Sequence, residues 1–243
     1  MTTTKTLADV AAISLAAVSA LERHGLDYCC GGKQPFDEAC LAKGIAPESV
    51  MQEIERTPGA GSLETDWQTA PLGELAKHIV ATHHEYLKLE LPALGNRLDK
   101  VHSVHGARDP ETLNRMVEVF GSLREELEMH MHKEEVVLFP FLEEYGRAEA
   151  QGRPMPPVPF GSIANPIAMM EREHVSAGDA LGEIRALTRN YHLPSYACST
   201  VGALYEGLQA LEADLHVHIH LENNILFPRA IALERQEGPK AVR

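Results

Sequence analysis

Positive charge is scarce in this chain. Twenty-two Lys and Arg stand against 35 Asp and Glu, a formal net charge of −13, with no clustered run of cations. Nucleic acid and anionic lipid are held through such clusters, so neither partner is expected. Aromatic residues make up only 5%, which also disfavours base stacking. No stretch approaches the ~18 uninterrupted apolar residues of a membrane span, and Met1 to Lys5 carries no charged-then-apolar leader pattern, so a cytoplasmic protein is expected. Four cysteines, two of them adjacent at Cys29 and Cys30, do not make a disulfide framework in 243 residues; reduced thiols fit better.

What is present is ordinary for a globular chain, at 44% hydrophobic and 23% charged, except for 13 histidines. Between clusters of Gly and Pro the sequence is rich in Leu, Ala, Glu and Lys with few β-branched alternations, which makes the fold all-α. A first helical segment opens on Thr6-Leu-Ala-Asp9, a capping-box pattern, carries Val10, Ile13, Ala17 and Leu21, and ends at Gly25. Asp27-Tyr-Cys-Cys-Gly-Gly32 follows, then short helices near Pro35 to Lys43 and Pro47 to Arg56, and a linker in Thr57 to Ser62. This divides the chain into a small N-terminal helical domain, residues 1–60, and a larger one, residues 66–238.

Four long helical tracts are bracketed in the larger part, beginning near Pro71, Pro110, Pro166 and Pro194, where a missing N–H costs no intrahelical bond. Asp109 and Asn165 stand at expected N-caps, Gly106 and Gly146 at expected C-terminal breaks. Only the connection from Gly146 to Asn165 is long. Two short-looped hairpins joined by one crossing segment make an up-down-up-down four-helix bundle.

One internal repeat carries the chemistry. His130-Met-His-Lys-Glu134-Glu-Val-Val-Leu-Phe-Pro140 matches His218-Ile-His-Leu-Glu222-Asn-Asn-Ile-Leu-Phe-Pro228 at a constant offset of 88, with His84 and His174 as upstream counterparts at an offset of 90. A His and a Glu four residues apart share a helix face, so both can reach one ion in the bundle centre. Two such pairs and two single histidines make an N4O2 set: carboxylates bridge cations, and imidazoles suit iron, copper or zinc. A dinuclear site follows. Four nitrogens and two bridging carboxylates supply eight bonds, against about twelve for two octahedral ions, and a shared oxide or hydroxide would add two. Roughly one position per metal stays open for a small ligand.

Other features read as structural. His83 points about 100° away from His84, so only one of the two ligates, and the offset does not decide which. His216 and His220 have ligand spacing but project away from His218, as a solvated polar face does. His24, His78, His102, His105 and His192 have no partner spacing, and Cys40 and Cys198 read as core residues. Leu-Phe-Pro in both repeats is read as packing plus a helix interruption. Glu171 precedes His174 at ferritin-like spacing, but the motif occurs once and leaves Glu171 at most a supporting role. Cys29 and Cys30, ahead of a helix near Pro35, could hold a thiolate stabilised by that helix; a tight turn with incidental thiols is the other reading. In the second hairpin His218 lies further from the Asn190 to Ser195 turn than His174, a mismatch of roughly 9 Å that an uneven loop would have to absorb.

With these residues in view the chain resembles the iron–sulfur cluster repair di-iron proteins, the repair of iron centres family. Asp27-Tyr-Cys-Cys-Gly-Gly-Lys33 is similar to the signature of that family's N-terminal domain, and the remainder resembles its hemerythrin-like domain. The resemblance implies two iron ions per chain in an oxo-bridged centre held by His84, His130, His174 and His218 and bridged by Glu134 and Glu222. It favours His84 over His83. It implies repair of iron–sulfur proteins damaged by nitric oxide or oxidative stress, with the di-iron site as iron source. It further implies nitric oxide or O2 as a small ligand, nitric oxide reduction or sensing as alternatives, Cys29 and Cys30 as redox or iron-handling thiols, and a homodimer. Where oxygen-carrying hemerythrins present a further histidine four residues after the third-helix ligand, this chain has Gly178, so one nitrogen donor is missing and the centre is expected to be more open and labile.

Overall fold

Local capping sets the first helices. The computed structural model of the chain describes residues 5–57 and 66–236. Helix α1 (Leu7–Ala11) starts at Thr6, whose hydroxyl accepts from the Asp9 N–H while the Asp9 carboxylate accepts from the Thr6 N–H, a complete capping box. The expected single helix then breaks. Ser14 accepts from the Ala17 N–H at 3.1 Å and caps a second helix, α2 (Leu15–Arg23), because a hydroxyl that bonds the next turn competes with helix continuation. Helices α3 (Phe36–Ala42) and α4 (Pro47–Arg56) follow. The boundary between residues 60 and 66, the expected linker beyond Thr57, and residues 237 and 238 lie outside the described residues.

Four long helices succeed them. Helix α5 runs Leu72–Ile79, then the π-turn Val80–His84, then Glu85–His105. Helix α6 runs Pro110–Lys133, the π-turn Glu134–Leu138 and Phe139–Ala150. Helix α7 is Ala164–Leu187, and α8 is Ser199–Leu221, the π-turn Glu222–Leu226 and Phe227–Gln236. The architecture is all-α, with no strand among the described residues.

Some boundaries differ from expectation. Asp109 caps α6 and Gly106 closes α5, as their chemistry dictates. Gly146 lies inside α6, buried against Leu72 and Gly73 of α5, where the lack of a side chain permits close backbone approach. Asn165 lies within the first turn of α7, whose cap position is Ile163. Helix α8 starts at Ser199, five residues beyond Pro194.

The late start of α8 accounts for the height mismatch. His84, His130 and His218 stand 21, 20 and 19 residues from the helix ends at the far pole of the bundle, whereas His174 stands 13 residues from Leu187. Helix α7 therefore stops about 10 Å short at 1.5 Å per residue. The segment after it makes up the height, turning through Arg189, Asn190 and Tyr191, all with positive φ (50°, 59° and 58°). The Tyr191 hydroxyl donates to Glu212 on α8 and ties that turn down.

The bundle core is in two apolar layers. One, at the far pole, contains Leu87, Leu91, Leu94, Phe120, Leu127, Leu181 and Leu208 among others. The other contains Leu72, Ile79, Leu138, Phe139, Met170, Ile225 and Phe227. A third cluster belongs to α1–α4 and reaches Ile219 of α8, so the N-terminal helices pack directly on the bundle. No helix among the described residues is long and apolar enough to cross a membrane.

Candidate metal centre

Between the two apolar layers each long helix contributes polar residues at one height. His84 lies between Ile79 and Leu87, His130 and Glu134 between Leu127 and Leu138, His174 between Met170 and Ala177, and His218 and Glu222 between Leu215 and Ile225. All six are buried, and both glutamates are wholly inaccessible. Three of the six belong to π-turns: His84 closes the first, and Glu134 and Glu222 open the other two. A π-turn widens the helix by one residue and re-aims the side chains on either side of it, and such turns concentrate at functional sites. Pro140 and Pro228 follow two of them after a single phenylalanine. The wider turn relieves the clash a proline ring makes with the carbonyl four residues back.

The six side chains form two groups, His84, Glu134, His218 and Glu222, and His130, Glu134, His174 and Glu222, with the donor atoms of each group within 4.8 Å of one another. Both carboxylates belong to both groups. His84 Nε2 faces His218 Nε2 at 3.3 Å, and His174 Nε2 faces His130 Nε2 at 3.1 Å. Two nitrogens bound at right angles to one ion at about 2.1 Å would lie about 3.0 Å apart. His84 Nε2 and His130 Nε2 approach Glu134 Oε2 to 3.4 and 3.2 Å, yet both Glu134 oxygens lack a hydrogen-bond partner. The distances to Glu134 are short, yet their geometry is not that of hydrogen bonds. Buried polar atoms left so cost stability unless something binds there. The donor set thus fits cations.

Electrostatics point the same way. Burial and the neighbouring Glu222 oppose ionisation of Glu134, but His130 and His84 outweigh them and hold its carboxyl below the usual range. Glu222 is held well below it, against burial, by His218 and His174. Burial opposes the charge on His130, yet Glu134 raises it to about 9. Burial wins at His218, which is lowered. Glu134 and Glu222 are therefore carboxylates at neutral pH, the state in which a carboxyl group can bind a cation.

A second set of residues fixes the imidazoles. Glu135 accepts from His84 Nδ1 at 2.8 Å, Glu173 pairs with His130 Nδ1 at 2.8 Å, and Asn223 Oδ1 meets His174 Nδ1 at 2.8 Å. Such partners orient a ligand ring and raise its basicity. The repeat contained this signal: Glu135 and Asn223 are themselves 88 apart, each following a glutamate shared by both groups and each serving the first histidine of its own hairpin. Glu173, not Glu171, has the supporting role; Glu171 faces Lys33 at 3.7 Å. The counterpart of Glu173 at the 90-residue offset is His83. It stacks on the His218 ring (5.4 Å, 7°) and pairs with Asp214 at 2.9 Å, leaving His218 Nδ1 without a partner. His83 is outside both donor groups, whereas His84 is in one. The Leu-Phe-Pro segments do pack, but on the clustered histidines: Phe139 stacks on His84 and Phe227 on His174.

Comparison with known proteins bears on this arrangement. Residues 75–230 match the hemerythrin HHE cation binding domain, and residues 3–57 match a domain of unknown function, DUF542. The iron–sulfur cluster repair proteins YtfE of Citrobacter koseri and of Escherichia coli are each 38% identical over 224 residues, 92% of this chain and 95% of theirs. The chain belongs to the iron–sulfur cluster repair family. The six clustered residues described above fall within residues 75–230 of the first match, and Cys29 and Cys30 within residues 3–57 of the second.

The two matched parts of this family member meet beside the donors. His216 and His220 do not form a solvated face. They lie edge-on to Tyr28, and His220 is buried, its pKa lowered by that burial to about 4. A helix pattern cannot reveal that a second domain covers its outer side. Asn224, in the third π-turn, donates to the Tyr28 and Cys29 carbonyls at 3.0 and 3.2 Å. Gly32 is required there, since a Cβ would lie 2.5 Å from Asn224 Oδ1. The Asp27 carboxylate accepts from the Cys29 and Cys30 N–H groups and turns the loop toward α7. Cys30 Sγ then lies 3.8 Å from the His174 carbonyl and 3.7 Å from where a Cβ on Gly178 would be. Its thiol is lowered mainly by the S–H of Cys29, which donates to it, while Cys29 is raised.

Proposed function

We propose that this chain repairs damaged iron–sulfur clusters by giving up iron from a two-iron centre, held by His84 and His218 on one side and His130 and His174 on the other, and bridged by Glu134 and Glu222. The observation that carries the reading is the sharing of both carboxylates by two four-residue donor groups. Bound there, iron would supply redox and Lewis-acid chemistry toward small ligands such as nitric oxide or O2. The chain's own residues do the rest. Glu135, Glu173 and Asn223 orient three rings, Phe139 and Phe227 cover two of them, and the layer is buried. Gly178 contributes no donor where a further histidine would complete the set, which favours release over retention.

The division into residues 1–60 and 66–238 is read as a division of labour. Asp27, Cys29 and Cys30 form a third donor group against α7, and a cavity of this seam is lined by those residues with Gly178, Asp179 and His216. We assign it the handling of iron or electrons between the buried centre and a damaged iron–sulfur protein. Iron-loaded chain mixed anaerobically with a nitric-oxide-damaged [4Fe–4S] enzyme should restore activity while losing iron; restoration by free iron and not by the chain would refute donation. Glu134→Leu or Glu222→Leu should each retain at most one metal, and two irons retained in both would remove the bridging assignment.

A further inference from the structure

At the pole of the bundle furthest from the metal centre stands a second reactive pair. Cys198 is exposed and is the N-cap residue of α8. Its Sγ lies 3.4 Å from Nε2 of His105, the last residue of α5. The sequence placed Cys198 in the core and His105 in a structural role; the late start of α8 instead leaves the cysteine at the helix mouth. His105 is only 7% exposed, and its ring is fixed by stacking on Tyr196 (5.3 Å). The Tyr196 hydroxyl donates to Asp109, which caps α6 through Thr112. His105 Nδ1 is buried without a partner, so the sulfur is the ring's one polar contact. A thiol beside an imidazole at a helix N-terminus is the arrangement that makes cysteines nucleophilic. His105 first, then the Val201 and Thr200 amides, bring its pKa down to about 6.

We propose that Cys198 is a thiolate modification site, oxidised to a sulfenic acid by hydroperoxides. With Nε2 protonated, His105 donates to the sulfur and stabilises it as thiolate. The sulfur attacks the terminal peroxide oxygen; an S–O bond forms as the O–O bond breaks. Sulfur loses two electrons, and the peroxide is reduced to hydroxide or alkoxide, which takes its proton from solvent at this exposed position. Cys198 has no disulfide partner within the chain. Cys29, Cys30 and Cys40 lie with the N-terminal helices packed on Ile219, 21 residues along α8 and roughly 30 Å away at 1.5 Å per residue, against about 5.5 Å between bridged Cα atoms. The sulfenic acid therefore persists until an external thiol condenses with it.

The test uses the full metal-loaded chain. Iodoacetamide alkylation of Cys198, followed by peptide mass mapping across pH, should show a midpoint near 6. At pH 6 such a thiol is about half ionised, roughly 160-fold more than one of pKa 8.5. Its lower intrinsic nucleophilicity returns about tenfold of that, leaving an alkylation rate about tenfold above an ordinary cysteine. His105→Gln should remove most of this gain at pH 6. If that variant does not fold, the pH profile of the unaltered chain decides alone. After a few equivalents of hydrogen peroxide, dimedone should label Cys198 and nothing should appear in Cys198→Ser at that peptide. A midpoint of 8 to 9, or sulfenate confined to Cys29 and Cys30, overturns the proposal.

Discussion

Asn224 clasps the thiol loop to the bundle through the Tyr28 and Cys29 carbonyls, and its side chain also meets His220 Nδ1 at 3.2 Å. Asn224→Ala leaves the Tyr28 and Cys29 carbonyls without the two donors they have at 3.0 and 3.2 Å. It touches none of the six metal donors. Net contributions of about 0.5–1.5 kcal/mol per hydrogen bond put the loss of docking at about 1–3 kcal/mol. If the N-terminal helices lift from α8 as a unit, that raises the population of the lifted state by about 5- to 150-fold. Cys29 is buried in the N-terminal core and Ile219 of α8 helps to cover that core, so its alkylation under native conditions reports the lifted population, as does amide exchange in residues 28–32. Both should accelerate within that range while iron content stays unchanged. An unaltered Cys29 rate would refute the reasoning, because the loop would then be held by its own Asp27 turn and not by the bundle. Gly32→Ala, which forces a Cβ to within 2.5 Å of the Asn224 oxygen, should reproduce the effect from the other side of the seam.

Three further outcomes follow from the site and its supports. Glu173→Leu removes the partner of His130 Nδ1 and of Lys133, and should weaken iron binding about 10- to 100-fold, measured by chelator competition; unchanged affinity would show that the ring needs no anchor. His84→Ala should lose metal while His83→Phe, which keeps the stack on His218, should retain it in full; the reverse pattern in metal analysis would exchange the two assignments. Arg189 is exposed with φ at 50°, a conformation that costs a non-glycine residue about 1–2 kcal/mol. Arg189→Gly should therefore leave stability unchanged or raise it by up to about 1 kcal/mol in a thermal or denaturant melt, and a loss larger than that would mean the side chain holds the turn.

The six residues that cluster between the helices were legible because a repeat carries them. A helix that must present His and Glu one turn apart has little freedom in the spacing, and duplication wrote it twice, at His130 and Glu134 and at His218 and Glu222. The partners Glu135 and Asn223 lay in the same repeat, but two different residues at equivalent positions do not advertise a common role. Glu173 and His83, the other equivalent pair, differ in chemistry altogether. Helix periodicity assigned His216 and His220 to solvent because it describes one helix at a time; the face opposite the metal is covered by Tyr28, whose place depends on a domain docked from elsewhere in the chain.

By itself, then, the amino-acid sequence determined the all-α class, the caps at Thr6 and Asp109, and the residues able to bind a metal, since all of these depend on spacings within one or two helical turns. The tertiary structure alone decided the three π-turns that seat His84, Glu134 and Glu222, the shortened α7 and the left-handed turn that compensates for it. It also decided the burial of His220 and the meeting of Cys198 with His105 across 93 residues. Those features arise from contacts between helices. Their energies depend on which surfaces meet, and no local pattern in the chain records that.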